Sequence, residues 1–309
     1  MSAQIFPFRF SALKSEPLLK DKDGTVLAVC FPFVQSGKII EKSPLCCLSL
    51  KSAGSMRFRW NEQNETRIQF FEKLKIWNDS DYRALQGQFP VESKNCLHIL
   101  APELIHSKKV FCVDSFEEFS SFAQFCSTGD AVLTSNRLFV PSVTVADCVP
   151  VYLYHPQKAV FAMVHSGWKG TGIVKEVLAE ASKVYGADAE GFCAVIGPHI
   201  KSCCYTVDAE RADYFRKNFG NSCIVSEEAD EKFGFHLSLE VANLKLLLDA
   251  GVPAGNIALA LECTCCSKQL GSHRRETAGL ADSVPLEERL KKFTVMAAFL
   301  LPDEIKDKN

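Results

Sequence analysis

Three stretches of the sequence place polar or metal-capable side chains where apolar runs would otherwise continue. In Val145-Ala146-Asp147-Cys148-Val149-Pro150-Val151 a carboxyl and a thiol interrupt residues that would otherwise be plain core. In Val164-His165-Ser166-Gly167-Trp168-Lys169-Gly170-Thr171 an imidazole stands where a strand end turns into a helix start. If 143–154 and 160–164 form a hairpin, pairing Cys148 with His165 centres its turn between Pro156 and Gln157, inside a run of turn-compatible residues. Facing residues on antiparallel strands have Cβ atoms about 5 Å apart, close enough for thiol and imidazole to share a metal or a proton. Cysteine and histidine together are zinc ligands, and the same adjacency suits a cysteine nucleophile with a histidine base. The third stretch is Ile196-Gly197-Pro198-His199-Ile200-Lys201-Ser202-Cys203-Cys204-Tyr205-Thr206-Val207.

Five blocks then stand in order: VADCVPV from Val145, VHSGWKGT from Val164, IGPHIKSCCYTV from Ile196, ECTCC from Glu262 and SHRRETAG from Ser272. Together they resemble the YfiH-like, or laccase-domain, family, whose members read T-A-D-C-x-P-V, V-H-A-G-W-R/K-G-T, I-G-P-x-I-x-x-C-C-Y-x-V, C-T-x-C and S-Y-R-R. The resemblance implies one zinc, held by Cys148, His165 and a histidine from an upstream Q-V-H-G block. That histidine maps onto His106 in Glu103-Leu104-Ile105-His106-Ser107, which lacks the flanking Gln and Gly, with His98 as the local competitor. Three protein ligands leave a fourth position for water or substrate, the catalytic zinc pattern rather than the closed structural one.

The resemblance also implies purine nucleoside metabolism: phosphorolysis of adenosine, inosine and methylthioadenosine, and deamination of adenosine. Phosphorolysis needs cations on the phosphate, for which Lys169, Arg274 and Arg275 are candidates, with Arg offering a bidentate fork. It needs the departing purine stabilised by a proton or hydrogen bond, for which Asp147 is placed, although the same carboxyl could instead orient His165. Deamination needs a metal-activated water at C6. Lys51 replaces the Asn of a family S-L-N-L segment near the site, His273 stands where Tyr is usual, and Leu280 replaces an Arg. These departures point to an altered substrate preference. Two alternatives remain: a cysteine hydrolase acting on amide bonds of cell-wall precursors, with Cys148 as nucleophile and His165 as base, and a non-catalytic zinc-binding protein. Multicopper oxidation of phenols is disfavoured, because the seven histidines are scattered without an H-x-H pair.

Apolar blocks and turn signals supply the elements that must position these residues. Strands are expected at Thr25 to Val34, Leu45 to Leu50, Val110 to Asp114, Asp130 to Thr134, Ser142 to Tyr154, Val160 to Val164, Phe192 to Ile196, Ile257 to Leu261 and Phe293 to Leu300. Helices are expected at Asn64 to Trp77, Gly172 to Tyr185, Asp208 to Phe219 and Ser238 to Ala250, with Asn64 and Ser238 as caps and Gly186 and Gly251 as stops. Several strands adjacent in sequence, irregularly mixed with helices, argue for an α+β fold. It is read as a layered sandwich of mixed β-sheets flanked by helices, in a single domain over 1–309.

The 309 residues are long enough to bury a sizeable core, and 35 basic against 37 acidic side chains give no polyelectrolyte surface for a nucleic acid polymer. The longest apolar runs, such as Val149 to Tyr154, stop well short of the roughly 18 residues a membrane span needs. No secretory leader pattern opens the sequence, so a soluble cytoplasmic protein acting on nucleoside and phosphate is expected. The fourteen cysteines are then expected to be mostly reduced. The neighbours Cys46-Cys47, Cys203-Cys204 and Cys265-Cys266 read as buried core filling.

Overall fold

The computed structural model describes residues 6–77, 96–227, 233–281 and 283–302. Two seven-stranded mixed sheets form its centre. The first runs in the order Phe8–Phe10, Ile257–Ala260, Cys193–Ile196, Val149–His155, Val160–Ser166, Ala131–Thr134, Val110–Cys112. The second runs Glu16–Lys20, Val26–Phe31, Leu45–Ser49, Met296–Leu301, Phe139–Val145, Leu97–Leu100, Ile76–Trp77. The α+β expectation therefore stands, with parallel and antiparallel pairs in both sheets.

The pleat explains why the central strands are apolar without alternation. Val149, Val151 and Leu153 pack outward with Val174, Val177 and Leu178 of helix Ile173–Tyr185, whereas Tyr152 and Tyr154 pack inward between the sheets with Phe31 and Phe33. A strand covered on both faces must be apolar at every position. On the far side of the second sheet, Phe70 and Phe71 of helix Glu65–Lys73 close over Phe299. The layers are thus helix, sheet, sheet, helix.

Two expectations about elements need correction. Ser142 to Tyr154 is not one strand. Phe139–Val145 pairs with Met296–Leu301 in the second sheet, and Val149–His155 pairs with Val160–Ser166 and Cys193–Ile196 in the first. The chain changes sheets over Ala146 to Cys148, and Asp147 makes the corner in the left-handed region at φ 84°, uncommon for a residue with a side chain. The acid and thiol that interrupt the apolar run are therefore the crossing itself. The hairpin also pairs Pro150, not Cys148, with His165, so Cys148 lies just past the strand end. The second correction concerns Asn64 to Trp77. Asn64 caps the helix by accepting from the Arg67 amide, but the helix stops at Lys73, and Ile76–Trp77 joins the second sheet. Among the described residues no helix is long and apolar enough to cross a membrane.

Candidate metal centre and cavity

Although Cys148 is off the ladder, its thiol meets His165 at the end of the hairpin opposite the turn, and His106 arrives from the loop preceding strand Val110–Cys112. The ligand atoms of His106, Cys148 and His165 all lie within 4.8 Å of one another. The two imidazoles are edge to face, 4.9 Å between centroids. His98, the competing ligand, is instead buried against Phe116, Phe119 and Phe139.

One buried carboxylate that sequence reading passed over organises the group. Asp130 receives His165 Nδ1 at 2.8 Å, the His106 amide at 2.9 Å, the Ser107 amide at 2.5 Å and the Ser107 hydroxyl at 2.7 Å. These contacts hold His106 at a positive φ of 58°. They also occupy His165 Nδ1, so that Nε2 is the nitrogen that remains to meet Cys148 or a metal, the arrangement in which a carboxylate behind a metal-binding histidine fixes its tautomer. Burial pushes the Asp130 carboxyl up, but His165 and the Ser107 donors outweigh it and hold the group below its ordinary value. An acid opening the wholly buried strand Ala131–Thr134 was the available signal.

The thiol and imidazole shift each other. Burial would raise Cys148, yet the charge of His165 and hydrogen bonds from His106 and His165 hold the thiol below its ordinary value. Burial would lower His165, yet the Cys148 charge and Asp130 push it up. These shifts favour the thiolate and imidazolium forms of the pair, and a thiolate with two imidazole nitrogens is a donor set suited to zinc. Gly167 makes the approach possible. A Cβ there would meet His106 Cδ2 at 2.9 Å and Cys148 Sγ at 3.3 Å.

A cavity of about 470 Å³ opens beside these three side chains, within the range of small-molecule sites. Asp147 and Arg274 line it, with Phe58, Trp168, Tyr205 and His273 as aromatic walls. Asp147 does not touch His165 as an orienter would. Its Oδ1 accepts from the Thr264 hydroxyl at 2.6 Å and its Oδ2 from the Arg274 amide at 2.6 Å. The Arg274 guanidinium is steadied by the Thr206 hydroxyl and carbonyl, both at 3.0 Å.

The other expected cations fall elsewhere. Arg275 is spent on main chain, donating to the carbonyls of Thr264, Cys265, Ser267 and Leu270 and pairing with Glu276. A guanidinium so occupied braces the 264–270 loop. Lys169 is exposed, its ammonium 5.4 Å from the Trp168 ring centroid, and is not among the cavity walls. Lys51 pairs with Glu276 at 3.0 Å, also outside the walls. In their place stands Arg211, which nothing in the sequence marked. Its guanidinium lies 4.2 Å over the Trp168 ring and donates to the Tyr205 hydroxyl at 3.4 Å, and its buried Nε has no hydrogen-bond partner.

No disulfide joins any of the fourteen cysteines. Cys46 and Cys47 are buried, but Cys203 and Cys266 are exposed, so core filling does not describe them.

A family model described as multi-copper polyphenol oxidoreductase laccase matches residues 80–283. A purine nucleoside phosphorylase of Clostridium acetobutylicum is 38% identical over 152 residues, 48% of this chain and 61% of its own length. An adenosine deaminase from an unknown prokaryotic organism is 33% identical over 174 residues, 54% of this chain and 66% of its own. The crystal structure of YlmD from Geobacillus stearothermophilus shares the fold at a TM-score of 0.64 and 22% identity, covering 88% of this chain and 99% of that one. The first curated relatives are matched over about half to two thirds of their length. With two thirds of the chain under the family model and the layered fold in common with YlmD, the protein belongs to the laccase-like, YfiH family.

Proposed function

We propose that the protein is a zinc-dependent purine nucleoside phosphorylase, acting on adenosine, inosine or methylthioadenosine, with adenosine deamination as a second activity of the same cavity. The observation that carries this reading is the convergence of four arginines (Arg57, Arg59, Arg211 and Arg274), aromatic walls and a His-Cys-His group on one cavity, in a chain with relatives named for both activities. His106, Cys148 and His165 would hold the ion. Thiolate and two imidazoles are a borderline-soft set that suits zinc, and without H-x-H pairs the chain lacks the clustered imidazoles of a multicopper centre. When bound, zinc would supply Lewis acidity and lower the pKa of a water in the open position.

The chain's own residues do the rest. Phe58, Trp168, Tyr205 and His273 offer faces for a purine ring and exclude water from it. Arg211 and Arg274 hold phosphate: one has an unpartnered Nε, and the other is braced at Thr206 so that its position is set before phosphate arrives. Asp147, fixed by Thr264 and the Arg274 amide, keeps acceptor capacity toward the cavity and takes a hydrogen bond from the nucleoside. Incubation with each nucleoside, with and without phosphate, checks the proposal: free base with ribose 1-phosphate is expected, and its absence at every phosphate concentration sinks it.

A second reading is favoured by one alignment. Cys148, His165 and Asp130 stand as nucleophile, base and orienter, the arrangement of a thiol hydrolase. That enzyme would need no phosphate, would survive chelation, and would leave an acyl adduct on Cys148.

A further inference from the structure

Away from the cavity, four more sulfurs converge where the segments 201–204 and 263–266 meet. We propose that Cys203, Cys204, Cys263 and Cys266 form a second metal site, a closed tetrathiolate that holds zinc as a structural ion. The ligand atoms of all four lie within 4.8 Å of one another. Cys204 and Cys266 Sγ are 3.4 Å apart, Cys203 and Cys266 3.7 Å, and Cys203 and Cys204 3.8 Å. Zinc–sulfur bonds of about 2.3 Å in a tetrahedron set sulfurs about 3.8 Å apart, so the three measured edges need only small adjustments to close on an ion. All-sulfur tetrahedral coordination selects zinc over harder cations.

The backbone prepares the site. Cys263 pairs with His199 in a short parallel bridge, and the Thr264 amide donates to the His199 carbonyl at 3.1 Å, fixing the two segments side by side. The Lys201 amide donates to Cys263 Sγ at 3.4 Å. Cys263 is buried and Cys203 and Cys266 are exposed, so the site has an inner anchor and an outer mouth through which an ion can enter.

Its place suggests its purpose. Thr264, between two of the ligands in sequence, donates to Asp147, and the Thr264 and Cys265 carbonyls receive Arg275. An ion on Cys263 and Cys266 would therefore pin the loop that supports one wall of the cavity. This inference does not depend on the proposed activity or on the ion at His106, Cys148 and His165.

The test uses the full chain, reduced, exposed to zinc, desalted and analysed for metal. With Cys148→Ala removing the first site, about one zinc per chain should remain, and Cys203→Ser with Cys266→Ser in that background should abolish it. Cobalt(II) in the Cys148→Ala protein should show sulfur-to-metal charge-transfer absorption, lost in the triple variant. Should the triple variant fold poorly, alkylation of the unsubstituted folded protein decides: Cys203 and Cys266 should be shielded by zinc and labelled after chelation. Equal labelling with and without zinc, or less than a tenth of an equivalent of zinc on the Cys148→Ala protein, would overturn the proposal. A Cys204–Cys266 disulfide persisting in the reduced, zinc-exposed sample would overturn it too.

Discussion

Two metal-capable clusters among the described residues differ in what surrounds them. His106, Cys148 and His165 supply three donors at the edge of a cavity, backed by a buried aspartate and approached by arginines. Cys203, Cys204, Cys263 and Cys266 supply four, on two loops tied by backbone hydrogen bonds, and none of them lines that cavity. Three mixed donors leave coordination open for chemistry, while four thiolates close it and leave only a brace. The contrast teaches that cysteine count says little here. What separates a reactive centre from a strut is the number of donors and whether a cavity adjoins them.

The strongest blow to the contrast is Cys148→Ala. Removing one of three ligands should empty the cavity-side site and lower phosphorolysis more than about a thousandfold, because ligands that act as a unit fail together. Zinc content measured beside turnover checks this. Full zinc with full activity would show that Cys148 is not a ligand.

Asp130→Asn sharpens the same comparison at a smaller scale. Loss of the group behind a metal-binding histidine typically weakens metal affinity about ten- to a hundredfold. The metal-free protein offers a second readout with a definite sign. Without the Asp130 charge the His165 imidazolium is less favourable, so the thiolate it stabilises is less populated and the Cys148 pKa rises. Alkylation of Cys148 near neutral pH should therefore be slower in Asp130→Asn than in the parent chain. An unchanged rate would detach Asp130 from the thiol's ionisation.

Sequence reading picked out three side chains that the structure brings together, but not what holds them. His106, Cys148 and His165 were legible because a polar or metal-capable residue in an apolar run is costly to bury without a partner, and the motif match supplied that partner. Strand positions were legible from apolar density. The split of 142–154 was not, since both halves are apolar on both faces and periodicity cannot assign them to different sheets. Asp130 was hidden because a single carboxylate at a strand start looks like ordinary turn chemistry. Arg211 lines the cavity in the place expected of Arg275, which meets loop carbonyls instead, for a similar reason: whether a guanidinium faces a cavity or a set of carbonyls depends on loop geometry that adjacency to a motif does not encode.

That exchange is itself testable. Arg211→Ala or Arg274→Ala should each lower kcat/KM for phosphorolysis about ten- to a hundredfold, the loss of one charge-assisted contact worth roughly 1.5 to 3 kcal/mol, with zinc retained. Arg275→Ala should act on stability instead, because four carbonyls lose their donor together. A drop of about 2 to 4 kcal/mol in urea unfolding is expected. The reverse pattern, with Arg275→Ala catalytically dead but fully stable, would return Arg275 to the phosphate.

The smallest effect should come from Lys51, one of three residues whose departure from the family pattern suggested an altered substrate preference. Its ammonium meets Glu276 at 3.0 Å, but its side chain is 40% exposed, so solvent and salt screen the pair. Glu276 does not depend on it, because Arg275 and the Thr294 and Ser272 amides also donate to that carboxylate. Lys51→Ala should thus cost less than about 1 kcal/mol of stability and change kcat/KM less than about twofold. Kinetics on adenosine, inosine and methylthioadenosine measured in parallel give the decisive form of the test. A change confined to one nucleoside would mean that substrate extends past the cavity walls to Lys51, and the boundary between cavity residues and supporting loops would have to move outward to include it.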